Sequence, residues 1–323
     1  MLVACLLFLL GFALLIKGGD WFVDGATGIA HRFNLPELLI GATVVSIGTT
    51  LPEVMVSAQA ALRGNAGISY GNAIGSIICN TSLIAAITIT FAPGLVNKKS
   101  LRLPSAAFFI AAFIYALVAY TTGRFTRILG IGYLVMFAVY MILSVRAMKN
   151  GDAESEAGEE QEEKKEMSLA MEIGLLVIGA AAIAFGANLL VENGTIIARE
   201  LGVPDSVIGL TMVALGTSLP ELVTAVTSLM KGHGALSLGN VIGANLFNII
   251  LVSGMAMTLN PFAVPAEKMV FGMNSSLVVD IPVMLGVMAL LCIPALKKGR
   301  LYRWQGITLL CIYAAFTIYQ FVI

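Results

Sequence analysis

The chain has 323 residues; 58% are hydrophobic before glycine is counted, and 12% are charged. A soluble domain averages ~45–50% apolar with glycine included and roughly 25% charged, so an ordinary water-soluble enzyme and a disordered chain are both excluded. Nineteen basic and nineteen acidic residues cancel, so no charge excess points to nucleic acid as a partner.

Apolar segments of about twenty residues, the length that spans a bilayer, then follow one another along the chain. The first runs over 2–24. It has no basic start and no small-residue cleavage site at the usual distance, so it reads as a span and not a leader. The next four cover 38–62, 67–91, 103–121 and 126–145. An acidic stretch from Asn150 to Met167 follows, with eight acids and two lysines. It reads as a solvated linker, because so short a run without an apolar pattern cannot fold a binding domain. Five more spans cover 168–192, 206–230, 236–259, 281–296 and 303–322. The expected fold is all-α: a polytopic membrane protein with ten transmembrane helices. The four cysteines (Cys5, Cys79, Cys292, Cys311) are scattered through these runs without a CxxC pair, so neither a disulfide framework nor a zinc site is indicated.

With sides alternating, thirteen lysines and arginines fall in the odd-numbered gaps and five in the even-numbered ones. The positive-inside rule then puts both termini outside and the acidic linker in the cytoplasm, with the chain in the plasma membrane.

Shifted by 168 positions, the sequence aligns with itself. Pro36–Asn80 against Pro204–Asn248 gives 17 identities in 45 positions without a gap. Gly-Thr-Thr-Leu-Pro-Glu (48–53) meets Gly-Thr-Ser-Leu-Pro-Glu (216–221), and Gly-Asn-Ala-Ile-Gly (71–75) meets Gly-Asn-Val-Ile-Gly (239–243). Apolar composition alone does not align Pro, Glu, Asn and Gly in register. The chain divides into a first repeat (1–149, motif 36–91), the linker (150–167) and a second repeat (168–323, motif 204–259). Five spans separate equivalent residues, and five is odd, so the second copy enters the membrane inverted. Secondary transporters use such repeats, with the substrate site near the midplane on interrupted helices.

The repeated polar residues indicate the chemistry. Taken as Leu38–Arg63, the second span has Glu53 as its sixteenth residue of 26, close to the bilayer centre, and Glu221 is its equivalent. An ionised carboxylate there costs at least ~2.5–3.5 kcal/mol. No lysine or arginine lies at matching depth in the repeat spans, so the natural partners are cations or protons. Pro52 and Pro220 each leave the carbonyl four residues earlier, Gly48 or Gly216, without a helical donor. An unwound turn over 48–50 and 216–218 is therefore expected, with carbonyls and hydroxyls turned toward a cavity. Thr49 and Glu53 share one helix face, as do Thr217 and Glu221. The third span adds Ser76 and Asn80, and the eighth adds Ala244 and Asn248. The paired glycines 71/75 and 239/243 allow close helix approach, while Asn72 and Asn240 read as interhelical hydrogen-bonding groups. Every ligand is oxygen, which suits a hard cation. Two bidentate glutamates, freed carbonyls and water or amide oxygen approach the six to eight ligands of Ca²⁺. The site charge of −2 is balanced by one Ca²⁺ or two Na⁺.

These two motifs resemble the α-repeats of the cation/Ca²⁺ antiporter superfamily, and most closely its prokaryotic sodium/calcium exchangers. The resemblance covers nearly the whole chain. It implies a transporter, not an enzyme, that moves Ca²⁺ against Na⁺ by alternating access, with no cofactor beyond these transported ions. It further implies that Glu53 and Glu221 bind Ca²⁺ and help hold Na⁺, and that the carbonyls of Thr49 and Thr217 complete the Ca²⁺ shell. Thr50, Ser76, Asn80, Ser218 and Asn248 would line the sodium positions or the central one, with the carbonyls of Ser46 and Ala214 as weaker ligands. The long first and sixth helices would slide against the other eight. Ala244 stands where relatives often carry Ser, which removes one side-chain oxygen. Asn248 replaces the Asp of some relatives and argues against potassium transport.

Other acids read as structural: Asp20, Asp24 and Glu192 as interfacial groups, Asp280 as a helix N-cap. An H⁺/Ca²⁺ antiporter using the same two glutamates is the alternative. A cation channel fits the repeat symmetry less well, and no nucleophile–base pair or metal-ligand His supports an intramembrane hydrolase. The lipid bilayer is the expected environment, and no feature points to an obligate protein partner.

Overall fold

The computed structural model describes residues 2–149, 167–201, 216–266 and 269–322. Most of the acidic linker, Ala214 and the first part of the seventh span lie outside the described residues.

Ten helical runs follow in chain order: α1 (Leu2–Arg32), α2 (Glu37–Leu62), α3 (Ala66–Phe91), α4 (Lys98–Thr122), α5 (Arg127–Lys149), α6 (Leu169–Glu200), α7 (Leu219–Met230), α8 (Gly234–Leu259), α9 (Ser276–Lys298) and α10 (Arg303–Val322). Eight are long and apolar enough to cross a membrane, and the described part of α7 is a shorter apolar helix. The fold is therefore all-α and polytopic. Its ten helices form two five-helix repeats of inverted topology, since α1 to α5 and α6 to α10 are equivalents separated by an odd number of crossings. Two-residue strands β1 (Arg124–Phe125) and β2 (Phe262–Ala263) pair antiparallel and tie the α4–α5 and α8–α9 loops together, and β3 (Met269–Val270) pairs with β4 (Met273–Asn274).

Depth in the bundle differs between helices. In α8, 89% of the most apolar stretch is buried inside the protein, against 28% in α1 and 22% in α5. α8 is the centre, and α1, α5 and α6 turn much of their surface to lipid. α1 packs chiefly along α6. Small residues permit this. A methyl on Gly11 would lie 2.8 Å from the Gly186 carbonyl, and one on Gly186 would lie 2.8 Å from the Gly11 carbonyl. Lipid offers no hydrophobic drive for helix association, so such backbone proximity is what holds the pair.

Helix ends depart from the hydropathy reading. α1 runs eight residues beyond the expected end at 24, and α6 eight beyond 192. At the end of α1 the polar turn finds an ionic partner. Arg32 bonds both oxygens of Glu172 at 2.8 and 3.0 Å and the Met167 carbonyl. Asp20 and Asp24, expected as solvated interfacial groups, are more than a third exposed and also pair with Lys231 at 3.5 and 3.0 Å. α4 starts at Lys98, where the Asn97 side chain caps the amides of Lys99 and Ser100.

Asp280 is not an N-cap. The helix already runs through Ser276–Asp280 as a wide π turn, the Asp280 backbone is helical, and its side chain makes no capping bond. Gln320 on α10 donates to it at 3.3 Å. α9 therefore starts five residues earlier than expected, because the carboxylate is satisfied across helices and need not mark an end.

Candidate functional site

Among the described residues, three further π turns interrupt the central helices: Gly41–Val45 in α2, Asn80–Ala85 in α3 and Asn248–Ser253 in α8. The last two start at equivalent residues, Asn80 and Asn248. Such wide turns loosen the backbone ladder and are frequent at functional sites. One loosened carbonyl, that of Ala42, accepts from the Tyr140 hydroxyl at 2.9 Å.

The two halves treat the proline motif differently. In α2 the helix stays wound from Ser46 to Leu62 with Pro52 inside it, so the unwound turn expected at 48–50 is not formed there. Proline removes a donor, but its φ still suits a helix, and the π turn just upstream takes up the irregularity. In the second half, Thr217 and Ser218 do form a turn, Ser218 is the N-cap of α7, and Pro220 sits in the first helical turn. Proline is well placed there, where the missing N–H has no carbonyl to serve.

Glu53 and Glu221 meet at this level. Both are fully buried, and their charges act on each other. The Thr49 and Thr50 side chains stand next to Glu221. Among the described residues, none of the four carboxylate oxygens nevertheless finds a hydrogen-bond partner. Both polar atoms of Asn80 and of Asn248 are also buried without partners, as are the hydroxyls of Thr50 and Ser218. A buried polar group left unpaired costs ~1–3 kcal/mol, more if charged. A cluster of unpaired oxygens on the central helices is the chemistry of a cation cage.

Around this cage two asparagines act as equivalent braces. Thr49 Oγ1 donates to Asn240 Oδ1 at 3.2 Å, and Thr217 Oγ1 donates to Asn72 Oδ1 at 3.3 Å. Each repeat's threonine is thus held by the other repeat's asparagine. Ser46 Oγ also donates to the Asn240 carbonyl at 3.0 Å. Asn72 Nδ2 reaches the Glu53 carbonyl at 3.1 Å and Ser57 Oγ at 2.9 Å. The expected interhelical role of these asparagines holds, and it extends to positioning the motif itself. Asn72→Ala gives up three side-chain bonds and is expected to lower stability by about 2 kcal/mol. Asn240→Ala is expected to cost about 1 kcal/mol, at the usual worth of bonds between membrane helices. Unfolding of the two variants in detergent checks this order.

Among the sequence-predicted residues, Ser46, Thr49, Thr50, Ser76, Asn80, Ser218 and Asn248 are buried with the glutamates, and Thr217 is half-buried. Ala214 lies outside the described residues. The glycine pairs do not read alike. Gly239 and Gly243 meet the backbone of Leu38 and Ala42, whereas a methyl added at Gly71 or Gly75 would meet no described residue within 4 Å. The segment equivalent to 38–42 is 206–210, outside the described residues. One neighbour was passed over in the sequence. Cys79 lies beside Ser218 and both glutamates, and its Sγ is 3.7 Å from the Tyr313 hydroxyl. Its adjacency to Asn80 was the available signal. A narrow crevice lined by Phe22, Gly48, Thr49, Ala180, Ile183 and Pro220 lies between the α1–α6 pair and the motif helices.

The family model described as sodium/calcium exchanger protein matches residues 3–146 and 171–322. The chain belongs to this family. The exchanger is 34% identical to sodium/calcium exchanger MaX1 of Methanosarcina acetivorans, over 98% of each chain. It is 38% identical to membrane protein MJ0091 of Methanocaldococcus jannaschii, over 95% of this chain and 94% of that one. Among solved structures it is similar to the sodium-calcium exchanger NCX_Mj soaked with Na⁺, with a TM-score of 0.82 at 33% identity and 97% of each chain covered. The exchanger is thus an integral membrane transporter of the cation/Ca²⁺ antiporter type, and the paired motifs fall inside both matched stretches.

Proposed function

We propose that this exchanger moves Ca²⁺ against Na⁺ by alternating access, with both ions held between Glu53 and Glu221. The observation that carries the reading is the pair of fully buried, unpaired carboxylates brought together from equivalent positions of the two halves. Their joint charge of −2 suits one Ca²⁺ or two Na⁺. Carbonyls of Thr49 and Thr217 complete the Ca²⁺ shell, with Ser46 and Ala214 beyond them. Thr50, Ser76, Asn80, Ser218 and Asn248 line the flanking Na⁺ positions or the central one, and the unpaired atoms among these residues support that role. Residues 1–149 and 168–323 act as the two inverted halves, in the plasma membrane, with both termini outside and the linker in the cytoplasm. The glycine seam between α1 and α6 supports movement of that pair as a unit over the motif helices.

Flux into proteoliposomes tests the coupling. Vesicles loaded with Na⁺ are expected to accumulate labelled Ca²⁺ when diluted into Na⁺-free medium, at a rate at least tenfold above vesicles carrying only K⁺ or pH gradients. Uptake that followed the pH gradient and ignored Na⁺ would make the same carboxylates proton carriers and overturn the sodium reading. Downhill Ca²⁺ conduction without countertransport would make the chain a channel.

A further inference from the structure

The end of α1, the start of α2 and the turn before α8 meet in a cluster that the carboxylate pair does not use. His31 Nε2 lies 3.5 Å from Glu37 Oε1, and His233 Nδ1 lies 2.7 Å from the same oxygen. One ligating atom from each residue falls within 4.8 Å of the other two. The two imidazole rings meet edge to face with centroids 6.3 Å apart. Two imidazole nitrogens and a carboxylate oxygen, from three separate segments, are the donor set of a zinc-class cation with an open fourth position. A tetrahedral ion with ~2.0–2.1 Å bonds sets its ligand atoms ~3.3 Å apart. The His31–Glu37 separation already meets that spacing. The shorter His233–Glu37 contact is a hydrogen bond, and a metal replaces its proton on binding.

The neighbouring cations are turned away. Arg32 is engaged with Glu172, and Lys231 with Asp20 and Asp24. One side of the cluster is open: the His31 side chain is 60% exposed, against 15% for Glu37 and 20% for His233. Repeat symmetry does not account for the histidines. The equivalents of His31, Glu37 and His233 in the other half are Arg199, Asp205 and Asn65, a guanidinium and an amide in place of both imidazoles. This donor set also differs from the all-oxygen cage, so its preference is for Zn²⁺, Co²⁺ or Ni²⁺ over Ca²⁺.

We propose that His31, Glu37 and His233 bind one divalent transition-metal cation of the Zn²⁺ class and thereby fasten the end of α1 to the starts of α2 and α8. Binding is read without any transport assay, so its failure and that of the exchange reading are distinguishable. The full chain in detergent is titrated with Co²⁺, whose visible absorption reports nitrogen and oxygen coordination. The expected result is one Co²⁺ bound, displaced by stoichiometric Zn²⁺ and retained in a hundredfold excess of Ca²⁺. His31→Ala, His233→Ala and Glu37→Gln are each expected to weaken binding about tenfold or more. His31→Cys, which keeps a ligand, restores it with an altered spectrum. Zn²⁺ is also expected to raise the Tm of the unsubstituted chain and not that of His31→Ala. His31 sits 60% exposed in the last turn of α1, so His31→Ala and His31→Cys keep the fold. Co²⁺ binding unchanged in His31→Ala and His233→Ala, or lost only in Glu53→Gln with Glu221→Gln, would overturn the proposal. So would the absence of any binding tighter than that of a chain carrying His31→Ala, Glu37→Gln and His233→Ala together.

Discussion

Glu53→Gln and Glu221→Gln are each expected to abolish Na⁺-driven Ca²⁺ uptake while leaving the protein folded. Glutamine keeps the shape and removes one of the two charges that face the ion. Ca²⁺ takes hard, charged oxygen ligands, and its affinity follows the number of carboxylates around it. Losing one of two is expected to weaken Ca²⁺ at least ~100-fold, or about 2.7 kcal/mol. Stability should move the other way or stay level. Both carboxylates are fully buried without hydrogen-bond partners, and a neutral amide in that place lifts a desolvation cost. Two measurements read this together. The thermal midpoint in ion-free detergent should be equal or higher in the variants, and the Ca²⁺-induced rise in that midpoint should vanish. A variant that unfolded without ions would make the carboxylates structural, and a variant that still transported would remove them from the site.

Gly239→Ala is expected to produce the largest effect of any single methyl group. A Cβ at this position would lie 2.2 Å from the Leu38 carbonyl oxygen and 2.9 Å from its carbon. Both atoms are backbone, so no side chain can turn aside and α2 must move away from α8. α8 is the most deeply buried helix, with every residue from Leu236 to Phe247 buried. Overpacking of this kind costs about 1–3 kcal/mol. Function should suffer more than stability, because α2 carries Glu53 and its Thr49 is braced by Asn240, one residue beyond the substituted glycine. Ca²⁺ uptake per folded molecule is expected to fall about tenfold, with gel filtration in detergent reporting the folded fraction. Gly132→Ala is the control. No described residue comes within 4 Å of its added methyl, and alanine is the better helix former by ~1 kcal/mol, so Gly132→Ala should be as stable as the parent or more so. Equal behaviour of the two variants would show that α2 and α8 do not depend on this approach.

Much of this was legible in the residues alone. Hydropathy reports what a segment prefers as solvent, so the spans, their number and the depth of Glu53 and Glu221 follow from local composition. The repeat could be read because Gly, Pro, Glu and Asn recur in register 168 positions apart, and the odd number of spans between copies fixes inversion. Helix ends were read less well. The polar last turn of α1 continues as helix because a distant charge meets it, as Glu172 meets Arg32 from 140 residues away. Asp280 looked like a cap beside Pro282 and is instead held by α10.

The sequence by itself determined the membrane class, the twofold inverted plan and the two acids at its centre, since each is a property of one segment or of its exact repeat. Only the tertiary structure decided that α2 stays wound where α7 begins with a turn, that Thr49 and Thr217 are held by the opposite half's asparagines, and that His31, Glu37 and His233 converge. Those outcomes rest on contacts between residues up to some two hundred positions apart. No local preference encodes such contacts, because the energy of each depends on which backbone the rest of the chain brings beside it.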